Sequence, residues 1–404
     1  MKKVGEVSLG IVTGVGGYLD ISSLVTSTQA GAVFQYQLVW AVMVGGLCAA
    51  ILCEQGGRLA AVSGKTVSDA IRERFGFPYH LTLYAIIALV TLLILAIEIG
   101  GASVAIEFAT GIAFGWWAVP VVLSCWLILW KGSYGFVQYG VASASLITIC
   151  FVVGAVLLQP HWLDVARGLV PSLPQHDRAK YWFLAAVIVA ASITPSLVLF
   201  YSSGAVEDRW DAGHLVVNRV AAFVGLGFGS LIAAAVVVVA AMALLPNGIR
   251  QEHYAQLALL LIDAMGWWGF VLLTLSVAIA CVGTAVEVAL VIAYMTAQGF
   301  GWEGSQDAAP RDNARFAAVY TGALCLGAVP VLVGIEPIKL TTVSMALTAL
   351  TLPIAVVPFL FVMNDPTYLK EHTNGWLANL VVTVIIGMTF VLAVVTVPLM
   401  LFGG

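Results

Sequence analysis

Residues 14–23 read Gly-Val-Gly-Gly-Tyr-Leu-Asp-Ile-Ser-Ser, a run of small, hydroxylated and acidic residues within the apolar stretch 8–33. A similar break lies at 191–196, where Ala-Ser-Ile-Thr-Pro-Ser interrupts a later apolar stretch. Pro195 removes one backbone N–H and so leaves a carbonyl without its partner about one turn earlier, near Ala191. Interrupted apolar segments at matching places in two halves indicate a transporter site near the middle of a membrane. The simpler alternative is a proline kink in the second segment and close glycine packing in the first.

The composition agrees with a membrane environment. The 404 residues are 61% hydrophobic and 9% charged, and the mean hydropathy is +1.02. Soluble domains contain about 25% charged residues, so this chain has too few to cover a surface in contact with water. A soluble enzyme and a secreted disulfide scaffold are therefore excluded. The net charge of −4 also argues against a partner such as nucleic acid.

Eleven apolar runs are long enough to cross a bilayer, which requires about 20 residues in a helix. Because lipid cannot satisfy open backbone groups, we expect every run to be helical and the fold to be an all-α integral membrane protein. The loops are too short for a catalytic domain, so residues 1–404 form one transmembrane domain that is not an enzyme. The predicted spans are 8–33, 38–60, 81–110, 115–131, 134–158, 181–204, 214–245, 264–298, 314–334, 339–363 and 376–401.

The distribution of Lys and Arg predicts the orientation, because cytoplasmic loops are enriched in these residues. With a cytoplasmic N-terminus, 12 of the 17 lie on the inner side and five on the outer side. We therefore expect a multi-pass protein of the bacterial inner membrane, with its C-terminus outside. The five outer residues are Arg167, Arg178, Lys180, Arg250 and Lys339.

The carboxylic acids singled out within the predicted spans are Asp20, Glu98, Glu107 and Glu287. An ionisable residue at the centre of a membrane helix costs about 2.5–3.5 kcal/mol on insertion scales. No Lys, Arg or His lies deep in any predicted span, so the embedded charge is acidic without a basic partner. This pattern indicates a cation site or pathway. The alternative is that the acids are protonated and hydrogen-bonded to neighbouring helices.

The two interrupted segments open two successive groups of five spans. This suggests a 5+5 inverted repeat, with repeat one at about 8–158, repeat two at about 181–363 and an extra helix at 376–401.

Several motifs resemble the Nramp family of divalent-metal transporters, in which the first span carries Gly-Tyr-x-Asp-Pro-Gly-Asn, then Gln-Ala-Gly and Tyr-Gln-Leu-x-Trp. The resemblance covers nearly the whole chain and implies a LeuT-like fold with broken helices 1 and 6 and alternating access around a metal ion. The motifs are Gly-Tyr-Leu-Asp at 17–20, Gln-Ala-Gly-Ala at 29–32, Tyr-Gln-Leu-Val-Trp at 36–40, Ser-Ile-Thr-Pro-Ser at 192–196, Tyr-Ser-Ser at 201–203, Ile-Glu-Pro at 335–337 and Val-Pro at 357–358.

The resemblance implies a ligand set, and the chain keeps only part of it. The family's span 1 Asp is Asp20, and the following Asn is replaced by Ser23. The family's span 6 Met is replaced by Thr194, and the carbonyl three residues earlier belongs to Ala191. Ser22, in the family's Pro-Gly stretch, and the neighbouring Gly17 complete the predicted metal-binding set.

Further departures concern residues around the site, which we assign to the pathway or its surroundings. The family's two span 6 histidines are replaced by Ser196 and Tyr201. The acidic pair of span 3 falls on Ile94 and Ile97, and Glu98 lies one position away. The family's span 10 Gln falls on Met345, and Glu287 of span 8 is the remaining embedded acid.

These replacements predict a change of ion. Thioethers favour softer metals, whereas carboxylates, hydroxyls and carbonyls favour hard cations such as Mg²⁺. Mg²⁺ keeps several waters when it binds, and small side chains leave room for them. We therefore expect transport of a hard divalent cation, foremost partly hydrated Mg²⁺ and also Mn²⁺. Without titratable relays in register, proton coupling should be weak or absent. This pattern resembles an Nramp-related branch that carries Mg²⁺.

Two other functions fit the same residues. A LeuT-fold carrier of a small organic cation could pair Asp20 with an amine beneath Tyr18, Phe200 or Tyr201. A sensor or scaffold without transport is the third possibility. The expected partners are the lipid bilayer and a divalent metal ion as substrate, no cofactor is required, and a monomer is one of the states that the sequence allows.

Overall fold

The computed structural model describes residues 20–133, 135–136, 140, 143–144, 146–174, 176–302 and 304–402. Every regular element in this part of the chain is helical. The helices of eight or more residues are α1 Ile21–Phe34, α2 Val39–Ser63, α3 Val67–Phe75, α4 Phe77–Thr110, α5 Ala118–Lys131, α6 Cys150–Leu157, α7 Arg178–Ser192, α8 Pro195–Glu207, α9 Leu226–Ala243, α10 Trp267–Phe300, α11 Ala314–Leu332, α12 Pro337–Val362 and α13 Trp376–Phe402.

Nine helical segments among the described residues are long and apolar enough to cross a membrane. They match nine of the eleven predicted spans to within a few residues. The other two, 8–33 and 134–158, fall partly on residues outside the described ranges. Their described portions are α1 and the apolar helix Leu146–Leu157.

The start of the eighth predicted span coincides with a break between two helices. The eighth span was expected to begin at 264, but a short helix ends at Met265 and α10 begins at Trp267. Gly266 separates them with φ +59° and ψ −138°, a conformation that glycine adopts readily because it lacks a Cβ. The apolar residues on both sides of Gly266 conceal this break in a hydropathy profile.

The interrupted helices of each group of spans pack on a helix of the other group. Helix α1 packs on α9, whereas α7 and α8 pack on α2, and the long helices α4 and α10 lie against each other. Gly31 allows the first of these contacts, because an added Cβ would lie 2.2 Å from the Val237 carbonyl oxygen. The interrupted segments are thus each held by a long helix of the other group.

The amphipathic helix α3 marks one end of the bundle, which we call the α3 side; the opposite end is the Phe34 side. Ion pairs and hydrogen bonds connect α3 to its surroundings. Lys65 pairs with Glu73 at 2.5 Å, and Arg74 pairs with Asp365 at 3.1 Å. The first pair ties α3 to the turn that precedes it, and the second holds α3 against the segment between α12 and α13.

Candidate functional site

Asp20 caps the first interrupted helix. Its Oδ1 accepts the backbone N–H of Ser23 at 2.6 Å, and its own backbone is extended (φ −86°, ψ 168°), so α1 begins at Ile21. Asp is among the preferred residues at this position because its carboxylate binds an otherwise unpaired N–H. The Ser22 hydroxyl is buried and makes no hydrogen bond with any described residue. Gly17, the remaining predicted ligand of this segment, lies outside the described residues, as does Tyr18.

The second break lies between α7 and α8. Helix α7 ends at Ser192, and Ile193 (φ −97°, ψ 39°) and Thr194 (φ −61°, ψ 126°) leave the helical conformation. Pro195, at the start of α8, has no N–H to offer to the Ala191 carbonyl. The break predicted from Pro195 is therefore present, with the partly exposed Thr194 side chain at its centre. Ser196 follows in the first turn of α8 and is buried.

Both breaks lie at a similar depth in the bundle. Helices α1 and α7 are in contact, and their ends on the Phe34 side meet through Phe34 and Tyr181, whose ring centroids are 5.3 Å apart. Fourteen residues separate Phe34 from Asp20, and thirteen separate Tyr181 from Thr194. At 1.5 Å per residue, each break is about 20 Å from this aromatic contact. The carboxylate of one break and the hydroxyl of the other therefore lie at the same level.

Glu98 of α4 is also at this level. It is fully buried, and its Oε1 accepts the N–H of Ile21 at 3.2 Å, while Oε2 has no hydrogen-bond partner among the described residues. Gly101 permits this approach, because an added Cβ would lie 2.8 Å from Cys281 Sγ and 3.0 Å from Ile21 Cγ1. A cavity of about 10 Å³, enough for about one water, lies beside Asp20 and is lined by residues of α1, α6 and α10.

Met345 and Glu287 take different positions around the breaks. Met345 of α12 is fully buried in a small cluster with Val187 and Ala191, so its thioether lies at the end of α7. Glu287 lies six residues beyond Cys281, about 9 Å along α10 toward the α3 side. It remains within electrostatic range of Asp20.

Tyr201 faces away from the break. Its hydroxyl donates to the Asn218 carbonyl at 3.2 Å, and the Asn218 amide donates to the Glu54 carbonyl at 2.8 Å. Tyr201 is thus tied to the segment that precedes α9 and lies two turns of α8 from Thr194.

Asn218 and the position of Cys281 were not predicted from the sequence. Asn218 is fully buried inside the predicted span 214–245, and a polar residue within a span is a functional candidate by default. Cys281 lies at the contact between α10 and Gly101, beside Glu98. No signal in the sequence specifies that contact.

Among the described residues, no three His, Cys, Asp or Glu side chains converge in the manner of a metal centre. The breaks instead present one carboxylate, neutral hydroxyls and a backbone carbonyl without its helical partner. Such a set can bind a cation that retains part of its water shell. It is too poor in charge to remove that shell completely.

Long membrane helices that break at a common depth define a multi-pass membrane transporter. Residues 10–398 match the family model described as natural resistance-associated macrophage protein-like, so the chain belongs to the Nramp family. Members of this family are metal-ion transporters rather than enzymes and carry the metal as substrate without a cofactor. The family resemblance predicted from the sequence motifs is confirmed.

Curated relatives match over part of their length. A divalent metal cation transporter MntH of Latilactobacillus sakei is 29% identical over 206 residues, covering 50% of this chain and 45% of the relative. An MntH of Deinococcus radiodurans is 28% identical over 233 residues, covering 55% of this chain and 53% of the relative. The matched part thus spans about half the length of these relatives.

Solved structures confirm the predicted fold. A manganese transporter of Eremococcus coleocola superposes with a TM-score of 0.81 at 18% identity, covering 98% of this chain and 85% of that one. The nucleobase-cation-symport transporter Mhp1 gives 0.63 at 16% identity, covering 98% and 91%. MhsT in complex with L-phenylalanine gives 0.63 at 14% identity, covering 97% and 98%. The fold is therefore that of Nramp and LeuT-like transporters.

Proposed function

We propose that the chain transports a hard divalent cation through a site formed by Asp20, Ser22, Ser23, Ala191 and Thr194, with Gly17 adjoining it. One observation carries this proposal: the Asp20 carboxylate and the Ala191–Thr194 break lie at the same depth between contacting helices. Family membership supports a metal as the cargo, since the curated relatives are named divalent metal cation transporters.

Mg²⁺ is the proposed foremost ion, because the donors at both breaks are oxygen atoms. Retained waters would fill the remaining coordination positions, and the small side chains of Ser22 and Ser23 leave space for them.

Mn²⁺ is a second candidate that a specific contact favours. Met345 belongs to the same buried cluster as Ala191, so α12 could supply the soft ligand that Thr194 does not. The Eremococcus coleocola neighbour is named a manganese transporter. Mn²⁺ accepts sulfur more readily than Mg²⁺ does. The ratio of Mn²⁺ to Mg²⁺ uptake therefore distinguishes a metal-binding role of Met345 from a packing role.

Proton coupling is proposed to be weak or absent. The family's acidic positions in α4 are occupied by Ile94 and Ile97, which are both buried. Ser196 and Tyr201 replace the family's histidines, and the Tyr201 hydroxyl is engaged with Asn218. The membrane potential alone can drive uptake, since it contributes about 4.6 kcal/mol per 100 mV for a divalent ion.

The same proposal places the α3 side in the cytoplasm of a bacterial cell, with the N-terminus inside and the C-terminus outside. It divides the chain into repeats at about 8–158 and 181–363, with an extra helix at 376–401. The exchange of partners between α1–α9 and α8–α2 supports this division, because repeats related by inversion interact in this reciprocal way.

Proteoliposomes with an inward-negative potential test the transport proposal. The unmodified protein should accumulate Mg²⁺ and Mn²⁺, and Asp20→Ala should abolish both fluxes. Asp164→Asn is a matched control, because Asp164 is a partly exposed acid that lies away from the breaks and pairs with Arg167 at 2.8 Å. Uptake by Asp20→Ala at the unmodified rate would refute the proposal. A pH dye inside the vesicles should report no acidification during uptake.

A further inference from the structure

A second polar pocket lies far from the helix breaks, on the α3 side of the bundle. It has a volume of about 270 Å³ and is enclosed by the end of α5, the segment 305–310 and the start of α11. Its lining includes Lys131, Asp307, Asn313 and Tyr320. Nothing in the proposed transport site uses these residues, so the pocket requires a separate explanation.

The segment 305–310 is fixed against α5, so the pocket is preformed. Gln306 is 6% exposed, and its Nε2 donates to the carbonyls of Leu129 at 2.7 Å and Gly132 at 2.9 Å. Its backbone N–H donates to the Tyr294 hydroxyl at 3.2 Å. These three bonds hold the loop over the carboxyl end of α5.

Tyr320 supplies an unpaired polar group to this pocket. The side chain is 1% exposed, and its hydroxyl has no hydrogen-bond partner among the described residues. Buried hydroxyls in folded proteins almost always have a partner. Because Tyr320 lines the pocket, a polar ligand inside it would provide that partner.

The charges at the rim are of opposite sign. Lys131 is the last residue of α5 and forms no ion pair with a described residue, whereas Asp307 lies in the facing segment. The pocket is therefore complementary to a ligand that carries a phosphate and an ammonium group.

The position at the end of a membrane helix favours a lipid over a soluble ligand. Trp130 precedes Lys131, lines the pocket and stacks on Trp126 with ring centroids 4.8 Å apart. Tryptophan is enriched where membrane helices meet lipid headgroups. Acyl chains could follow the apolar surface of α5, where Leu123 and Leu127 are exposed, while the headgroup enters the pocket.

We propose that this pocket binds the phosphoethanolamine headgroup of a phospholipid. The Lys131 ammonium contacts the phosphate, the Asp307 carboxylate contacts the primary ammonium, and the Tyr320 hydroxyl donates to a phosphate oxygen.

Native mass spectrometry of the purified full chain, titrated with phosphatidylethanolamine or phosphatidylglycerol, tests the proposal. We expect phosphatidylethanolamine to bind about fivefold more tightly, the effect of one ion pair near a protein surface. Asp307→Asn should abolish this preference, and Lys131→Gln should weaken the binding of both lipids. Tyr320→Phe should weaken binding about tenfold, the effect of one hydrogen bond to a charged group.

Two matched variants serve as controls. Tyr84→Phe removes a hydroxyl that bonds Thr296 at 2.9 Å, and Lys339→Gln removes a lysine that pairs with Glu336. Both should bind the lipids as the unmodified chain does. Equal binding of the two lipids, or Tyr320→Phe behaving as the unmodified chain, would overturn the proposal. Soluble O-phosphoethanolamine binding as tightly as the lipid would also overturn it, since the site would then serve a free solute.

Discussion

Gly45 controls how closely α2 approaches the second helix break, and replacing it should disturb the candidate site without touching a predicted ligand. An added Cβ would lie 2.6 Å from Ser192 Oγ, 2.7 Å from Ser192 Cβ and 3.2 Å from Val189 Cα. All three atoms belong to the last turn of α7, which carries the Ala191 carbonyl. Gly45→Ala must therefore displace this turn.

Two opposing contributions determine how much Gly45→Ala should change the free energy of unfolding. Overpacking a dense interior destabilises by about 1–3 kcal/mol, whereas alanine in a helix interior gains about 0.5–1 kcal/mol over glycine. We expect a net loss of about 1–2 kcal/mol in unfolding free energy. Mg²⁺ uptake should fall further than this loss of stability explains, because the displaced carbonyl belongs to the proposed site.

A rescue series makes the prediction specific. Ser192→Ala removes the atom at 2.6 Å but keeps the one at 2.7 Å, whereas Ser192→Gly removes both. In the Gly45→Ala background, Ser192→Gly should restore uptake and Ser192→Ala should restore little. Thermal unfolding in detergent and uptake in proteoliposomes measure the two effects. Unchanged uptake in Gly45→Ala, or equal rescue by both serine variants, would refute the reasoning.

Three other perturbations test separate parts of the account. Asp20→Asn keeps a good cap for the Ser23 N–H but removes the charge, so calorimetry should show Mg²⁺ affinity reduced about 30-fold or more; unchanged affinity would exclude Asp20 as a ligand. Met345→Leu conserves volume and should lower the Mn²⁺ to Mg²⁺ uptake ratio if the thioether binds metal, whereas a constant ratio would assign it to packing alone. Asp365 has its pKa lowered by hydrogen bonds from Thr367 and by Arg74, so its contribution is present above the ordinary value near 4 and is lost as the pH falls through the lowered value. Asp365→Asn keeps the helix cap but removes the ion pair with Arg74, so stability at pH 7 should fall by about 0.5 kcal/mol; this difference should shrink as the pH falls through the lowered pKa, and a difference that grows in acid would contradict it.

Helix positions could be predicted because lipid allows little choice of backbone structure. An apolar run of sufficient length must satisfy its own backbone groups, and the described helices follow the predicted spans closely. Pro195 lies at the break between α7 and α8 and lacks an N–H. Proline alone does not decide such a break, because Pro330 lies inside α11 and Pro353 lies inside α12. Gly266 escaped prediction because its effect depends on backbone angles that hydropathy does not report.

The side-chain arrangement could be predicted only in part. The pairing of Glu98 with Ile21 joins residues 77 positions apart, and it depends on how α4 is rotated about its axis. A rotation of one residue, about 100°, separates Glu98 from Ile97, which is buried in the hydrophobic core. The Tyr201 contact with Asn218 has the same origin, since both side chains are oriented by packing between helices.

The missing N–H of Pro195 also affects how fast the Ala191 carbonyl oxygen could bind an ion. In an unbroken helix, a carbonyl can turn to an ion only after its own hydrogen bond has broken, which adds to the activation barrier. The Ala191 oxygen has no such helical hydrogen bond that must first be broken. In the proposed site, the rate at which this oxygen binds an ion is therefore governed by how quickly the ion loses one water, and this step is far slower for Mg²⁺, which dehydrates reluctantly, than for a larger ion of equal charge.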